Sequence, residues 1–258
     1  MAGRNGAMAM SREAHVLVVA GSDSSGGAGI ARDIETIAAF GLRSCLAVTA
    51  VTVQTHTFAG RIETMPPGLV AEQMHAALGA NRVTAIKIGM LGTAATIEAA
   101  AAVLRKHAGI PVVLDPVLAT SSGRALLSDS GVAVMKRDLI PLCSLVTPNL
   151  IELARLAGTE PARNEADAIW QGRQLLADGC PALLIKGGHA SDARSTDFLL
   201  RPHEEPLRFE APRLGGSMRG TGCMLGSAVA AHLAAGTLMD ESVRGAKQYV
   251  FDRLCRAT

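Results

Sequence analysis

The sequence predicts an α/β fold built on a doubly wound, mostly parallel sheet. Three observations carry this. Short apolar runs alternate with helical stretches along most of the chain. The runs are continuous rather than alternating, the pattern of strands covered on both faces. Hydrophobic residues make up 48% of the 258 residues and aromatic residues only 3%, so a large core must be filled by Ala, Val, Leu and Ile. Strand–helix alternation repeated this often implies parallel βαβ units.

The elements follow in order. Residues 1–15 are polar and glycine-rich, lack the apolar stretch of a secretory signal, and read as a disordered lead-in; residues 16–258 read as one domain. Strands are expected at 16–20, 45–53, 85–88, 112–115, 145–147 and 182–186. Helices are expected between them, at 28–40, 69–78, 95–107, 131–139, 149–157 and 165–178. Residues 45–64 are rich in β-branched side chains and read as an edge extension of the sheet. Residues 197–211 read as a hairpin, with strands at 198–200 and 207–209 turning at Arg201-Pro202-His203. Two helices close the chain, at about 221–235 and 241–256.

Composition excludes several functions. The formal net charge is +2, which argues against a dedicated nucleic-acid binder. So few aromatic residues also argue against a base-stacking platform. No apolar run approaches the roughly 18 residues that span a bilayer. The five cysteines, Cys45, Cys143, Cys180, Cys223 and Cys255, are scattered and form no C-x-x-C pair, which suits neither a disulfide framework nor a structural zinc site. A reducing cytoplasm is the expected location.

Several catalytic signatures fail. No lysine follows a glycine, so there is no Walker loop. Gly27-Ala28-Gly29 is followed by Ile30-Ala31-Arg32, so the dinucleotide fingerprint lacks its third glycine. His203-Glu204 has no second histidine at zincin spacing, and no serine sits in G-x-S-x-G.

Five motifs remain, all at strand ends or helix starts. Residues Gly21 to Gly29 follow the first strand and open a helix. As a nine-residue turn they exceed the usual two to six or so, and glycine lets backbone approach a ligand. Gly220-Thr221-Gly222-Cys223 begins an apolar helix, where free amides make an anion cradle. The helix dipole there is expected to lower the Cys223 pKa, although a buried cysteine is the commoner fate. In Thr147-Pro148-Asn149-Leu150-Ile151-Glu152, Asn149 and Glu152 share a helix face. They suit either a hydrated magnesium ion or a capping box. Lys186-Gly187-Gly188-His189 fits a phosphate contact or a plain turn. Asp115-Pro116-Val117 fits a metal ligand or a turn cap. Together they describe a nucleotide-phosphate site without a Walker loop, the parts that phosphoryl transfer needs.

The segments GSDSSGGAGI, AVTAVTVQ, KIGMLG, DPVLATSSG, TPNLIE, KGGH and GTGCMLG occur in this order over residues 16–247. In this the chain resembles the hydroxymethylpyrimidine and phosphomethylpyrimidine kinases of thiamine biosynthesis, which have the ribokinase-like fold. The resemblance implies transfer of the ATP γ-phosphoryl group to 4-amino-5-hydroxymethyl-2-methylpyrimidine, and then to its monophosphate. It places Cys223 beside the acceptor hydroxyl, as base or positioning group, and the amides around Gly220 and Gly222 on the transferring phosphoryl. Gln54 would hydrogen-bond the pyrimidine, in a pocket lined by Gly21, Asp33 and Met90. Asp115 and Glu152 would hold Mg2+ through water, and Asn149, Lys186 and Thr221 would contact ATP. Read from the residues alone, Gln54 ends an apolar strand, where an amide that gives and accepts hydrogen bonds suits an aminopyrimidine edge, or simply meets water. Asp33 reads equally as a solvated residue early in its helix and Met90 as core filler.

The chain departs from the family at three positions: Ser24 stands where proline is common, Ala31 where glutamine is, and Arg219 where histidine often precedes the GTGC motif. The sequence stops at Thr258 without a glycine-proline ending, so the tail reads as short. A pyridoxal kinase of the same branch and a non-catalytic pyrimidine-binding protein stay open as alternatives. A homodimer through the 45–64 edge is expected, because an exposed β-branched edge invites pairing.

Overall fold

The computed structural model describes residues 13–256 apart from 56–57, 121–122, 124, 188–193 and 215–217. Its strands are β1 (Ala14–Asp23), β2 (Arg43–Gln54), β3 (Ala59–Thr64), β4 (Arg82–Ile88), β5 (Val112–Leu114), β6 (Leu145–Val146), β7 (Leu183–Ile185), β8 (Arg194–Leu200) and β9 (Leu207–Pro212). They form one nine-stranded sheet in the order β3-β2-β1-β4-β5-β6-β7-β8-β9. The run from β2 to β7 is parallel. β3 at one edge, and β8 and β9 at the other, are antiparallel additions.

The helices are α1 (Gly29–Ala39), α2 (Pro67–Ala80), α3 (Ala94–Leu104), α4 (Asp129–Val134), α5 (Leu150–Ala157), α6 (Glu165–Ala177), α7 (Thr221–Ala234) and α8 (Met239–Cys255). Strand alternation sorts them into two layers. Val16, Val18 and Ala20 of β1 pack with Ile37 of α1, Val229 of α7 and Val243 of α8. Leu17 and Val19 face the other way, toward Met74 of α2, Ile97 of α3, Leu153 of α5 and Leu175 of α6. Every apolar residue of β1 from Val16 to Ala20 is therefore buried. The chain leaves β1 for β2 on one side and later returns to β4 on the other. β1 and β4 thus flank a switch point, where the carboxyl ends of the strands leave a crevice.

Element bounds depart from expectation at β1. Ala14 and His15, assigned to the lead-in, are strand residues, and so are Gly21 to Asp23, assigned to a nine-residue turn. The reason is pairing on both sides: Ala14 opposes Arg82 and Asp23 opposes Thr52. Only residues 24–28 connect β1 to α1, an ordinary length, so the long-loop argument for that motif fails. The rest of the lead-in, 1–12, lies outside the described residues. The 45–64 extension is a β2–β3 hairpin whose edge is β3. The β8–β9 hairpin is longer than expected on both arms, because its pairing continues from Leu199–Leu207 out to Arg194–Pro212. Among the described residues, no helix is long and apolar enough to cross a membrane.

A histidine closes the α1–α7–α8 layer. His232 packs its ring against Phe40, with centroids 4.8 Å apart, and Phe40 packs in turn on Tyr249. Gly245 of α8 lets it in: a Cβ there would lie 2.4 Å from His232 Nε2. That nitrogen has no hydrogen-bond partner among the described residues, and burial holds the imidazole below its ordinary value of 6.5. The folded state therefore favours neutral His232, while the unfolded chain takes up a proton below pH 6.5. Stability from this group is complete above that pH and is lost as the pH falls below it. Thermal unfolding midpoints measured from about pH 7 to about pH 5 should fall more steeply in the wild type than in His232→Leu; parallel curves would exclude the histidine.

Candidate active site

The crevice is a cavity of about 940 Å³ along the carboxyl ends of the parallel strands. Two glycine segments build its centre by backbone contact. Gly29 opens α1 at φ +58, and a Cβ there would lie 2.3 Å from the Gly21 carbonyl oxygen. Gly220 precedes α7 at φ +76, and a Cβ there would lie 2.4 Å from the Gly27 carbonyl oxygen. No side chain caps α7. The amides of Thr221, Gly222 and Cys223 come before the first intrahelical bond, from Met224 N to Gly220 O, so they present an anion-binding end to the cavity.

Beside this end lies a group of charges. Asp115 follows β5, and its amide continues the ladder by donating to Ile88 O at 2.8 Å. Lys186 follows β7, and its Nζ donates to Asp115 Oδ1 at 2.7 Å and stands 3.8 Å from Glu152 Oε2. Gly222 makes room for both: a Cβ there would lie 3.2 Å from Lys186 Nζ and 3.6 Å from Asp115 Oδ2. Burial works to raise the Asp115 pKa, but the Lys186 and Lys87 ammonium groups bring it below the usual carboxylate range. Glu152 is raised, because burial outweighs what Lys186 returns. Asn149 and Glu152 stand at the start of α5. They form a capping box: Asn149 Oδ1 accepts from the Ile151 and Glu152 amides, and Glu152 Oε2 accepts from the Asn149 amide at 2.8 Å. Both also line the cavity, so the cap fixes the carboxylate in place there.

The other side of the cavity lies across the glycine segment. Gly21, Gln54 and Met90 line it together, and a Cβ on Gly21 would lie 3.2 Å from Met90 Sδ. Ser24 joins Gln54 to the β1–α1 connection: its hydroxyl donates to Gln54 O and accepts from Gln54 N, both at 2.8 Å.

Two expectations need correction. Asp33 does not line the cavity; it is fully buried beneath it. Its oxygens take Lys87 Nζ at 2.8 and 2.9 Å and the Ser227 hydroxyl at 2.7 Å. α1 turns this residue inward, under Lys87, and away from solvent as well. Cys223 is not made acidic by the helix end. Burial pushes its thiol up to about 11; the Lys87 ammonium opposes this, and the Asp33 and Asp115 carboxylates add to it. The thiol is protonated at neutral pH and hydrogen-bonds Asp115. Gly188 and His189 of the fourth motif lie outside the described residues.

Sequence reasoning missed Lys87, Arg219's contacts, and a second buried pair. Lys247 Nζ stands 2.7 Å from Asp197 Oδ2, while Asp197 Oδ1 accepts from the Gly187 amide at 2.9 Å. Lys87 had a signal: a lysine within the apolar run Ala85-Ile86-Lys87-Ile88 must find a buried partner.

A family model described as phosphomethylpyrimidine kinase matches residues 23–257. The chain belongs to that family. It is 40% identical over 244 residues to the hydroxymethylpyrimidine/phosphomethylpyrimidine kinases of Escherichia coli and Salmonella typhimurium, covering 94% of this chain and 91% of each relative. A solved phosphomethylpyrimidine kinase from Clostridium difficile superposes with a TM-score of 0.80 at 29% identity, over 94% of this chain and 100% of that one. The pyridoxal kinase of Bacillus subtilis, solved as an ADP complex, gives 0.83 at 28% identity, over 92% and 89%. The doubly wound, ribokinase-like expectation is thereby met, and the family's GTGC, KIGM and TPNLIE segments all meet at this one cavity.

Lys87 carries the test of this arrangement. Lys87→Met leaves the Asp33 carboxylate buried and unpaired, which should cost about 3–5 kcal/mol in urea unfolding. Lys87→Met with Asp33→Asn should recover much of that loss. A single variant as stable as the wild type would show the pair to be dispensable.

Proposed function

We propose that this protein transfers the γ-phosphoryl group of ATP to the hydroxymethyl oxygen of 4-amino-5-hydroxymethyl-2-methylpyrimidine, and then a second one to the resulting monophosphate. The observation that carries this is the meeting of an uncapped α7 start, a charged Asp115–Lys186–Glu152 group and an amide-bearing acceptor wall in one cavity. Family membership supplies the acceptor class.

Phosphoryl transfer passes through a loose transition state, so positioning and charge stabilisation do most of the work. The Thr221, Gly222 and Cys223 amides face the charge on the transferring group. Lys186 supplies a fixed cation for the ATP phosphates, and Asn149 holds Glu152 in place beside it. Asp115 and Glu152 fit a magnesium ion held through water. They are hard oxygen donors, yet their oxygens already accept hydrogen bonds from Lys186 and the Asn149 amide, which disfavours direct ligation by both. When bound, magnesium neutralises phosphate charge. A protonated Cys223 cannot act as a free thiolate. Its S–H is held by Asp115, so Cys223 positions the acceptor hydroxyl beside the amides of α7. Gln54 offers both a donor and an acceptor to the aminopyrimidine edge.

A second reading, phosphorylation of pyridoxal, is favoured by one observation: a pyridoxal kinase of Staphylococcus aureus, solved with pyridoxal, superposes with a TM-score of 0.84. ADP release with ATP and magnesium, on the pyrimidine alcohol, its monophosphate and pyridoxal in parallel, separates the two. Turnover on both pyrimidines is expected, and Cys223→Ala should lower it by about 10²-fold or more. Turnover on pyridoxal alone would move the protein to that substrate.

We also propose a homodimer through the β2–β3 hairpin, where Val53 and Phe58 are 62% and 64% exposed. Sedimentation should give twice the chain mass, and a monomer at micromolar concentration would sink the idea. The cysteines described are all free, in keeping with a cytoplasmic location.

A further inference from the structure

Arg219 lies at the junction of three chain segments. Its own backbone leads into Gly220, which is packed on the Gly27 carbonyl, so one end of the residue is fixed. Its guanidinium reaches the other two segments. One nitrogen donates to Ser25 Oγ at 3.1 Å and to the Thr55 carbonyl at 2.8 Å. The other donates to Asp23 Oδ2 at 3.2 Å. Asp23 Oδ1 in turn accepts from the Ser25 amide at 2.9 Å and the Ser25 hydroxyl at 2.8 Å. Asp23 is 8% exposed, so its carboxylate needs this partner.

The segments joined are the ones that hold Gln54. Thr55 directly follows it, and Ser24, next to both Asp23 and Ser25, binds its backbone N–H and C=O. Thr52 Oγ1 lies 3.0 Å from Ser22 O and 3.2 Å from Gln54 Oε1, which orients the amide itself. Arginine suits the position. Its planar fork offers several donors at fixed angles and keeps its charge at every physiological pH, where lysine offers a single point charge.

We infer that Arg219 is a positioning residue for the acceptor: a clamp, closed before substrate arrives, that fixes the end of β2 against the start of α7 and so holds Gln54 ready. The inference rests on the reading of this cavity as an acceptor pocket. Without the clamp, the order of the Gln54 segment must be established on binding, and affinity falls.

Two measurements on the full chain test it. The first is amide hydrogen exchange of the protein without ligand. In Arg219→Met the Ser25 and Gln54 amides should exchange about tenfold faster while β4 amides keep their protection. Unchanged exchange at both would overturn the clamp. This arm needs no substrate, so it decides the clamp even if the wild type turns over no pyrimidine, which would sink the functional reading instead. The second is steady-state kinetics. Arg219→Met should raise the acceptor KM by about tenfold, with the ATP KM within about twofold and Arg219→Lys in between. A fall in kcat with the acceptor KM unmoved would overturn positioning and assign Arg219 to the transferring group. If Arg219→Met fails to fold with Asp23 unpaired, Arg219→Met with Asp23→Asn removes the stranded charge and answers both arms.

Discussion

The buried ion pair of Lys87 and Asp33 is the interaction on which the site rests. It joins β4, α1 and, through Ser227, α7. Both side chains are fully buried, so each ion carries a desolvation cost of several kcal/mol. Two apolar residues would fill that space at less cost, so the pair is better understood as a register device than as a source of stability. It fixes the depth and rotation of α7 against the sheet. The anion-binding start of α7 and Cys223 depend on that placement.

Charge and shape meet above this pair. Two lysines, Lys87 and Lys186, are shared among three carboxylates, Asp33, Asp115 and Glu152, so the carboxylates are not independent of one another. The Cys223 thiol stays protonated because its burial outweighs the pull of the Lys87 ammonium. Shape comes from absent side chains. Gly29, Gly220 and Gly222 each stand where a Cβ would meet a backbone oxygen or a charged group of the site. The cavity therefore has walls of main chain, whose amides are fixed donors with no rotamer freedom to lose.

Much of this was legible in the sequence. Continuous apolar runs between helical stretches gave a parallel sheet, and the candidate site residues other than Asp33 line the cavity at its carboxyl edge. Asp33 was misplaced because helix periodicity says which residues share a face and not which face meets a buried lysine from another strand. Strand ends were also missed. The residues Gly21 to Asp23 look like turn formers, and only pairing with β2 makes them strand.

The sequence by itself determined the class of fold, the family segments and the short-range features: the Asn149–Glu152 spacing, the glycine turns and the amide-bearing start of α7. These follow from contacts between residues a few positions apart. Only the tertiary structure decided the partners of Lys87, Lys186 and Arg219 and the protonation of Cys223. Each depends on groups far away in sequence, and on burial, which no residue carries on its own. Arg219 meets Asp23 and Thr55 across more than half the chain, and that contact exists only once the sheet has brought the ends of β1 and β2 to the start of α7.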